Sequence, residues 1–135
     1  MSARTKARRR AVEVLYEVDL RGEDADAGMA SLGSRLQSIN PYTEQIVRGV
    51  VQHQERIDET LSTYAQGWTL DRMPPVDRAI LRIGTWELLW GEVPEAVALA
   101  EAVDLANELS TDESGKYING VLAQVNAVKD RIGRE

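Results

Sequence analysis

Few side chains in this sequence could do acid–base or nucleophilic chemistry. There is no cysteine and only one histidine, His53, which excludes thiolate nucleophiles, disulfides and histidine-rich metal sites. Helical spacing puts Glu87 on an inward arc between Ile80, Ile83 and Trp90, where a carboxylate could serve as a catalytic acid. No second group is placed to work with it, so we interpret Glu87 as structural, bonded to a tyrosine, an arginine or a backbone N–H. We therefore predict no enzyme, no metal and no cofactor.

The N-terminus is suited to another chemistry, the recognition of a polyanion. Residues 1–10 contain five cations and no acid, namely Arg4, Lys6, Arg8, Arg9 and Arg10. The remaining residues include 11 basic and 22 acidic side chains, so this basic arm projects from a body with a net charge of −11. Guanidinium groups pair with phosphate, and the acidic body would repel non-specific contacts. The arm is a candidate RNA site, and a solvated, frayed terminus is the alternative.

Aromatic side chains give a second set of candidates for nucleic-acid contacts. Trp86 and Trp90 are four residues apart on an apolar helix, which predicts that both pack in the core. Tyr64 and Tyr117 each lie at the edge of an apolar stripe, near a loop. Base stacking on these two tyrosines and packing of the same rings in the core remain alternative interpretations.

The elements that must position these side chains are all helices. Ala7, Ala11, Val14 and Val18 form one stripe along a first helix over residues 5–20. Further boundaries are predicted by an Asn40-Pro41 cap, a break near His53, prolines at 74, 75 and 94, Gly91, and a Ser110-x-x-Glu113 capping box. The pattern predicts an all-α fold of about seven helices joined by short loops.

The first helix also carries apolar residues on its opposite face. Arg9, Val12, Tyr16 and Leu20 lie across from the alanine and valine stripe, at about 100° per residue. A helix that is apolar on both faces is either buried all round or binds a partner on the second face. Both alternatives stay open for Tyr16.

Length and hydropathy favour one soluble domain over residues 1–135. No apolar run approaches the roughly 20 residues that a membrane span needs. The basic N-terminus has no apolar segment of the secretory type behind it. We therefore expect a cytoplasmic protein that does not enter the membrane.

Three stretches of sequence carry a resemblance to a known family. They are residues 11–20 behind the arginine arm, residues 73–88 around Asp77, and residues 94–106 followed by residues 114–122. The last is the most distinctive, because Lys116-Tyr117-Ile-Asn119-Gly-Val-Leu follows an acidic helix. Taken in order over residues 4–130, these stretches resemble the NusB family of transcription antitermination factors.

The resemblance implies two packed helical sub-bundles and a role in processive antitermination on ribosomal RNA operons. It implies binding of boxA RNA together with NusE, a ribosomal protein, within the RNA polymerase antitermination complex. Some family members also form homodimers through the surface that otherwise meets NusE. With the arm included, the candidate RNA-binding residues are Arg4, Lys6, Arg8, Arg9, Arg10, Tyr64, Lys116, Tyr117 and Asn119. The candidate NusE-binding residues are Tyr16, Asp77 and Glu113, and we expect Asp77 to be exposed at a helix start.

The sequence departs from the family at a few of these positions. Arg9 and Arg10 lie where the family is variable, and Asp77 and Tyr117 replace the commoner Glu and Phe. Two other functions remain as alternatives. One is a detached RNA-docking module of an RNA methyltransferase system, although that enzyme class needs a methyl-donor domain and a catalytic cysteine. The other is a helical scaffold that binds only proteins.

Overall fold

The computed structural model describes residues 2–132, and its regular structure is entirely helical. The α-helices are α1 (Ala3–Arg21), α2 (Ala25–Gly33), α3 (Pro41–Gln52), α4 (Gln54–Tyr64), α5 (Pro75–Leu89), α6 (Glu95–Leu109) and α7 (Asp112–Val128). Short 3-10 turns, Leu70–Arg72 and Lys129–Arg131, precede α5 and follow α7. The predicted all-α class with about seven helices is confirmed. Within residues 2–132, no helix combines the length and the apolarity needed to cross a membrane.

Most of the predicted helix boundaries are confirmed, and one is wrong. Asn40 caps α3 by accepting from the backbone N–H of Tyr42, and Pro41 is the first helical residue. The chain breaks at His53 between α3 and α4. The capping box assigned to Ser110 is wrong, because the N-cap of α7 is Thr111, whose hydroxyl accepts from the backbone N–H of Ser114 at 3.0 Å. Thr111 has the extended backbone that an N-cap requires.

Helix α5 lies at the centre of the molecule. Residues 79–89 are all buried, and α5 contacts α1 and α3 on one side and α4, α6 and α7 on the other. Helices α1, α2 and α3 pack together as one group, and α4, α6 and α7 form the second, which confirms the two sub-bundles. Gly84 allows the close approach of α7, since a Cβ atom there would lie 2.6 Å from Cδ1 of the buried Leu122.

Helix α1 changes character along its length. In its first half the predicted stripe is buried, and Val12 on the opposite face is buried as well at 3% exposure. In its second half Tyr16 is 36% and Leu20 is 55% exposed. Apolar side chains on both faces are therefore buried only in the N-terminal half of α1, and the C-terminal half presents apolar side chains to solvent.

Candidate nucleic-acid interface

Arg8 and Glu87 form a buried ion pair between α1 and α5. Nε of Arg8 donates to Oε1 and Oε2 of Glu87 at 3.0 and 3.2 Å, and Nη2 donates to Oε2 at 2.9 Å. The hydroxyl of Tyr42, on α3, also donates to Oε2. Each of the two charged residues is 2% exposed. The structural interpretation of Glu87 is confirmed, and the RNA contact expected of Arg8 is wrong because its guanidinium is sealed in the core.

The charge states of this cluster follow from its burial. Burial alone would lower the pKa of Arg8, but the hydrogen bonds and negative charge of Glu87 outweigh it and raise that pKa. Burial and the bond to Glu87 both raise the pKa of Tyr42. At neutral pH, Arg8 is therefore a cation and Tyr42 a neutral donor. In the described part of the chain, no three His, Asp and Glu side chains are grouped to hold a metal ion.

The basic arm is the first part of a helix and not a frayed tail. Ser2 caps α1 by accepting from the backbone N–H of Thr5 at 3.0 Å, and the Thr5 hydroxyl donates to Glu101 of α6 at 2.9 Å. Asn40 also donates to the carbonyl of Ala3, at 3.5 Å. These contacts tie the first turn of α1 to both neighbouring segments, so the side chains of the arm have defined directions.

Ion pairs divide the remaining cations of the arm into two classes. Arg9 pairs with Glu108 of α6, and Arg10 pairs with Glu13 one turn further along α1, at 3.3 Å. Arg4 and Lys6 are exposed and, within residues 2–132, have no carboxylate partner. The guanidinium of Arg4 lies 4.4 Å from the ring centroid of Tyr42, which steadies this side chain without neutralising it. The charge available to an external anion is therefore concentrated on Arg4 and Lys6.

Tyr64 and Tyr117 line one cleft between the end of α4 and α7. The cleft has a volume of about 220 Å³, and its other lining residues are Gln66, Lys116, Gly120, Val121 and Gln124. The half-buried ring of Tyr117 meets Trp68 edge-on, with centroids 5.4 Å apart, and its hydroxyl donates to the carbonyl of Gln66 at 3.3 Å. Partial burial raises the pKa of Tyr117, so its hydroxyl stays protonated. The cleft thus presents fixed aromatic surface of the kind on which a nucleobase can stack.

The first turns of α7 bring the other predicted RNA residues to the same region. Lys116 is 76% exposed and lies 3.5 Å from Glu113, which is 87% exposed. Asn119 is exposed on the next turn. The family resemblance places Glu113 on the NusE side, whereas in the structure its carboxylate neighbours Lys116 at the edge of the tyrosine cleft.

The predicted partner-binding residues Tyr16 and Asp77 have opposite environments. Tyr16 is at the surface, as a partner contact requires. The expected exposure of Asp77 is wrong: Asp77 is 0% exposed, and Oδ2 accepts from the Ser114 hydroxyl at 2.7 Å. The first turn of α7 covers the start of α5 and removes this carboxylate from solvent. Asp77 therefore links α5 to α7 and is not available to a partner in this arrangement.

Asp77→Asn is expected to lower the free energy of unfolding by about 1–2 kcal/mol. It replaces a bond from Ser114 to a charged acceptor by a weaker neutral one, and it removes a negative charge from the first turn of α5. Urea unfolding of Asp77→Asn, Ser114→Ala and the double variant measures the link, since two changes to one bond should be less than additive. Strict additivity would show that the two side chains contribute independently.

Comparison with known proteins decides the family. The NusB family model matches residues 5–127. The chain belongs to the NusB family. It is 56% identical over 134 residues to the transcription antitermination protein NusB of Arthrobacter sp. (strain FB24), covering 98% of each chain. It is 54% identical over 136 residues to the NusB protein of Saccharopolyspora erythraea, covering 98% of this chain and 92% of the relative.

A solved structure supports the same assignment. The chain superposes with a TM-score of 0.84 and 29% identity on a chain from the crystal structure of antitermination factors NusB and NusE in complex with dsRNA. The match covers 93% of this chain and 96% of the other. The NusB fold therefore accounts for the helical arrangement that positions the tyrosine cleft and the first turns of α1.

Proposed function

We propose that this chain is a transcription antitermination factor that binds boxA RNA together with NusE and catalyses no reaction. The observation that carries the proposal is the tyrosine cleft with exposed Lys116 at its edge, on a NusB fold. An aromatic surface beside an exposed cation suits an unpaired base and its phosphate. The proposal treats residues 1–135 as one cytoplasmic domain that acts within the RNA polymerase antitermination complex.

The proposed RNA path uses two helices that flank α6. The first turn of α1 supplies Arg4 and Lys6, and bonds from Thr5 and Arg9 hold α1 against α6. Helix α6 also packs along α7, which supplies Lys116 and the tyrosine cleft. A single strand that contacts both helices would meet cations at each end, which offset the repulsion from the exposed acids of α6, Asp104 and Glu108.

The proposed NusE surface is the C-terminal half of α1, where Tyr16 and Leu20 are exposed. Aromatic side chains are enriched in protein interfaces, and exposed apolar side chains one helical turn apart are suited to burial against a partner. A second copy of this chain would compete for the same surface, so self-association and NusE binding should be mutually exclusive. Sedimentation of the chain alone and with NusE tests that exclusion.

Binding of boxA RNA with and without NusE tests the proposed function as a whole. We expect NusE to raise the affinity for boxA RNA above that for a scrambled RNA of the same length. RNA binding that is indifferent to NusE would favour a detached methyltransferase docking module. Binding of NusE without any RNA binding would favour a protein-binding scaffold.

Removing the unpaired cations of α1 is expected to flatten the salt dependence of RNA binding. Each phosphate neutralised contributes roughly 0.7 to the log–log slope for a single strand, so Arg4→Ala with Lys6→Ala should reduce the slope by about 1.4. Arg9→Ala with Arg10→Ala removes the same charge from the same helix but affects cations that already pair with acids. An equal reduction in both double variants would show that only net charge matters.

Tyr16→Glu is expected to weaken NusE binding by about tenfold and to leave the melting temperature nearly unchanged. The substitution puts a charge into a proposed interface, while the side chain is already 36% exposed in the free protein. Calorimetric titration with NusE and a thermal melt of the same sample measure both quantities. A large fall in melting temperature with normal NusE affinity would assign Tyr16 to folding.

A further inference from the structure

A second cleft lies between α6 and α7 and adjoins the tyrosine cleft. Its volume is about 400 Å³, and it is lined by Val103, Asn107, Asp112, Gly115, Lys116 and Asn119. Lys116 lines both clefts. The two sets of lining residues lie on adjoining faces of α7 at helical spacing, with Lys116 on the ridge between them. A phosphate held at Lys116 would therefore have one cleft on each side, as consecutive nucleotides require.

Three polar side chains of this second cleft, those of Asn107, Asp112 and Asn119, are available to a ligand. Asn107 and Asn119 are exposed, and in the described part of the chain neither side-chain amide has a hydrogen-bond partner. The Asp112 carboxylate is exposed at the same cleft and takes part in no ion pair within residues 2–132. Two amides and one carboxylate offer both donors and acceptors, with one group that can only accept.

Gly115 leaves room for one of these amides. A Cβ atom at residue 115 would lie 2.1 Å from Oδ1 of Asn107, so the amide of Asn107 rests directly on the backbone of α7. A larger residue at this position would push the amide out of its place. The absence of a side chain at residue 115 therefore allows a hydrogen-bonding group to lie at the wall of the cleft.

The acceptor-only carboxylate selects among nucleobases. An exocyclic amino group, such as that on C4 of cytosine, offers two N–H donors to Asp112, and aspartate accepts from cytosine in known base contacts. Uracil presents its single N3–H donor between two carbonyl oxygens, which repel a carboxylate. The amides of Asn107 and Asn119 can pair with the neighbouring ring nitrogen and carbonyl of the same base.

We propose that the α6–α7 cleft reads the edge of an unpaired, amino-bearing base next to the base stacked on Tyr117. Asp112 and Asn107 are the specificity-determining side chains, and Lys116 holds the phosphate between the two bases. This inference rests on the proposed RNA-binding function and adds to it a preference for one class of base.

Fluorescence anisotropy with labelled oligo(C) and oligo(U) tests the preference for an amino-bearing base. Each RNA is about 12 nucleotides long, a length typical of single-strand sites. We expect the unaltered chain to bind oligo(C) roughly tenfold more tightly than oligo(U). Asp112→Asn should abolish the difference, since an amide accepts from or donates to either base. Asp104→Asn makes the same charge change at an exposed site on α6 outside the cleft, and it should keep the difference.

Asn107→Leu should lower the affinity for oligo(C) about fivefold to tenfold and leave oligo(U) binding unchanged. If that variant does not fold, Gly115→Ala displaces the same amide without removing it and should have the same effect. BoxA binding with NusE is measured on the same samples. BoxA binding without a preference for oligo(C), or a preference that survives Asp112→Asn, overturns the role of the cleft. If the unaltered chain does not bind boxA RNA in the presence of NusE, the proposed function itself is overturned.

Discussion

Replacing Glu87 by alanine is expected to lower the free energy of unfolding by about 3–5 kcal/mol. The change would leave the buried Arg8 with only Glu101, 3.6 Å away and partly exposed, as an acidic partner. It would also remove the acceptor of the Tyr42 hydroxyl. In a chain of this size, a loss of this magnitude lowers the melting temperature by roughly 10–20 °C. Thermal and urea unfolding followed by circular dichroism measure both values.

Removing the whole buried network provides the control. Arg8→Met combined with Glu87→Met and Tyr42→Phe replaces the three buried polar members by apolar side chains of comparable volume. The remaining partner of Arg8, Glu101, is 21% exposed and keeps access to water. Buried ion pairs replaced in this way commonly lose little stability or gain some, so the triple variant should be more stable than Glu87→Ala. A triple variant as unstable as Glu87→Ala would show that packing at these positions, and not the buried charge of Arg8 without Glu87, determines the loss.

The same network has a consequence for RNA binding. Arg8 lies between Arg4 and the paired Arg9 on α1, and its bonds to Glu87 hold this turn against α5. Arg4 additionally packs on the ring of Tyr42, the third member of the network. The buried Arg8 therefore helps to position the turn of α1 that carries the exposed cations, although its own side chain is not accessible to RNA.

Local sequence patterns predicted the helices well because their signals lie close together in the chain. Asn40-Pro41 and the break at His53 are read from neighbouring residues, and they are confirmed. Periodicity also placed Glu87 inside, and the need of a buried carboxylate for donors predicted its tyrosine and arginine partners by type.

The site was predicted less well because tertiary contacts decide which charges are free. The sequence shows five cations in the arm, but not that Glu87 and Glu108 come from distant helices to neutralise Arg8 and Arg9. The predicted exposure of Asp77 is wrong for the same reason, since Ser114 reaches this carboxylate only when α7 packs on α5. Helical spacing alone does not reveal such partners.

Two residues of the site gave a weaker signal in the sequence. Trp68, in the loop before α5, touches Tyr117 edge-on, yet nothing in its neighbours indicates that contact. The backbone carbonyl of Gln66 accepts a hydrogen bond from the Tyr117 hydroxyl, and any residue type would supply that carbonyl. The position of a stacking surface in a loop depends on packing between elements, so spacing within one helix could not predict it.

Tyr117→Ala is expected to reduce RNA affinity by about 10-fold to 100-fold, in line with roughly 1–3 kcal/mol for one stacked base. The ring is half-buried, and Trp68 and the carbonyl of Gln66 fix its orientation, so the bound base would meet a preorganised surface. Tyr117→Phe keeps the ring and loses only a 3.3 Å bond at an exposed edge, and its RNA affinity should match that of the unaltered chain.

Stability must be measured on the same samples, because Tyr117 also packs against the core. A fully buried aromatic replaced by alanine costs about 3–5 kcal/mol, and the partial burial of Tyr117 places the expected loss nearer 1–2 kcal/mol. The variant should therefore remain folded at the temperature of the binding assay, and its affinity then reports the contact with RNA. If folded Tyr117→Ala binds boxA RNA with full affinity, Tyr117 is a core residue, and the base must stack elsewhere in the cleft, where Tyr64 is the remaining aromatic side chain.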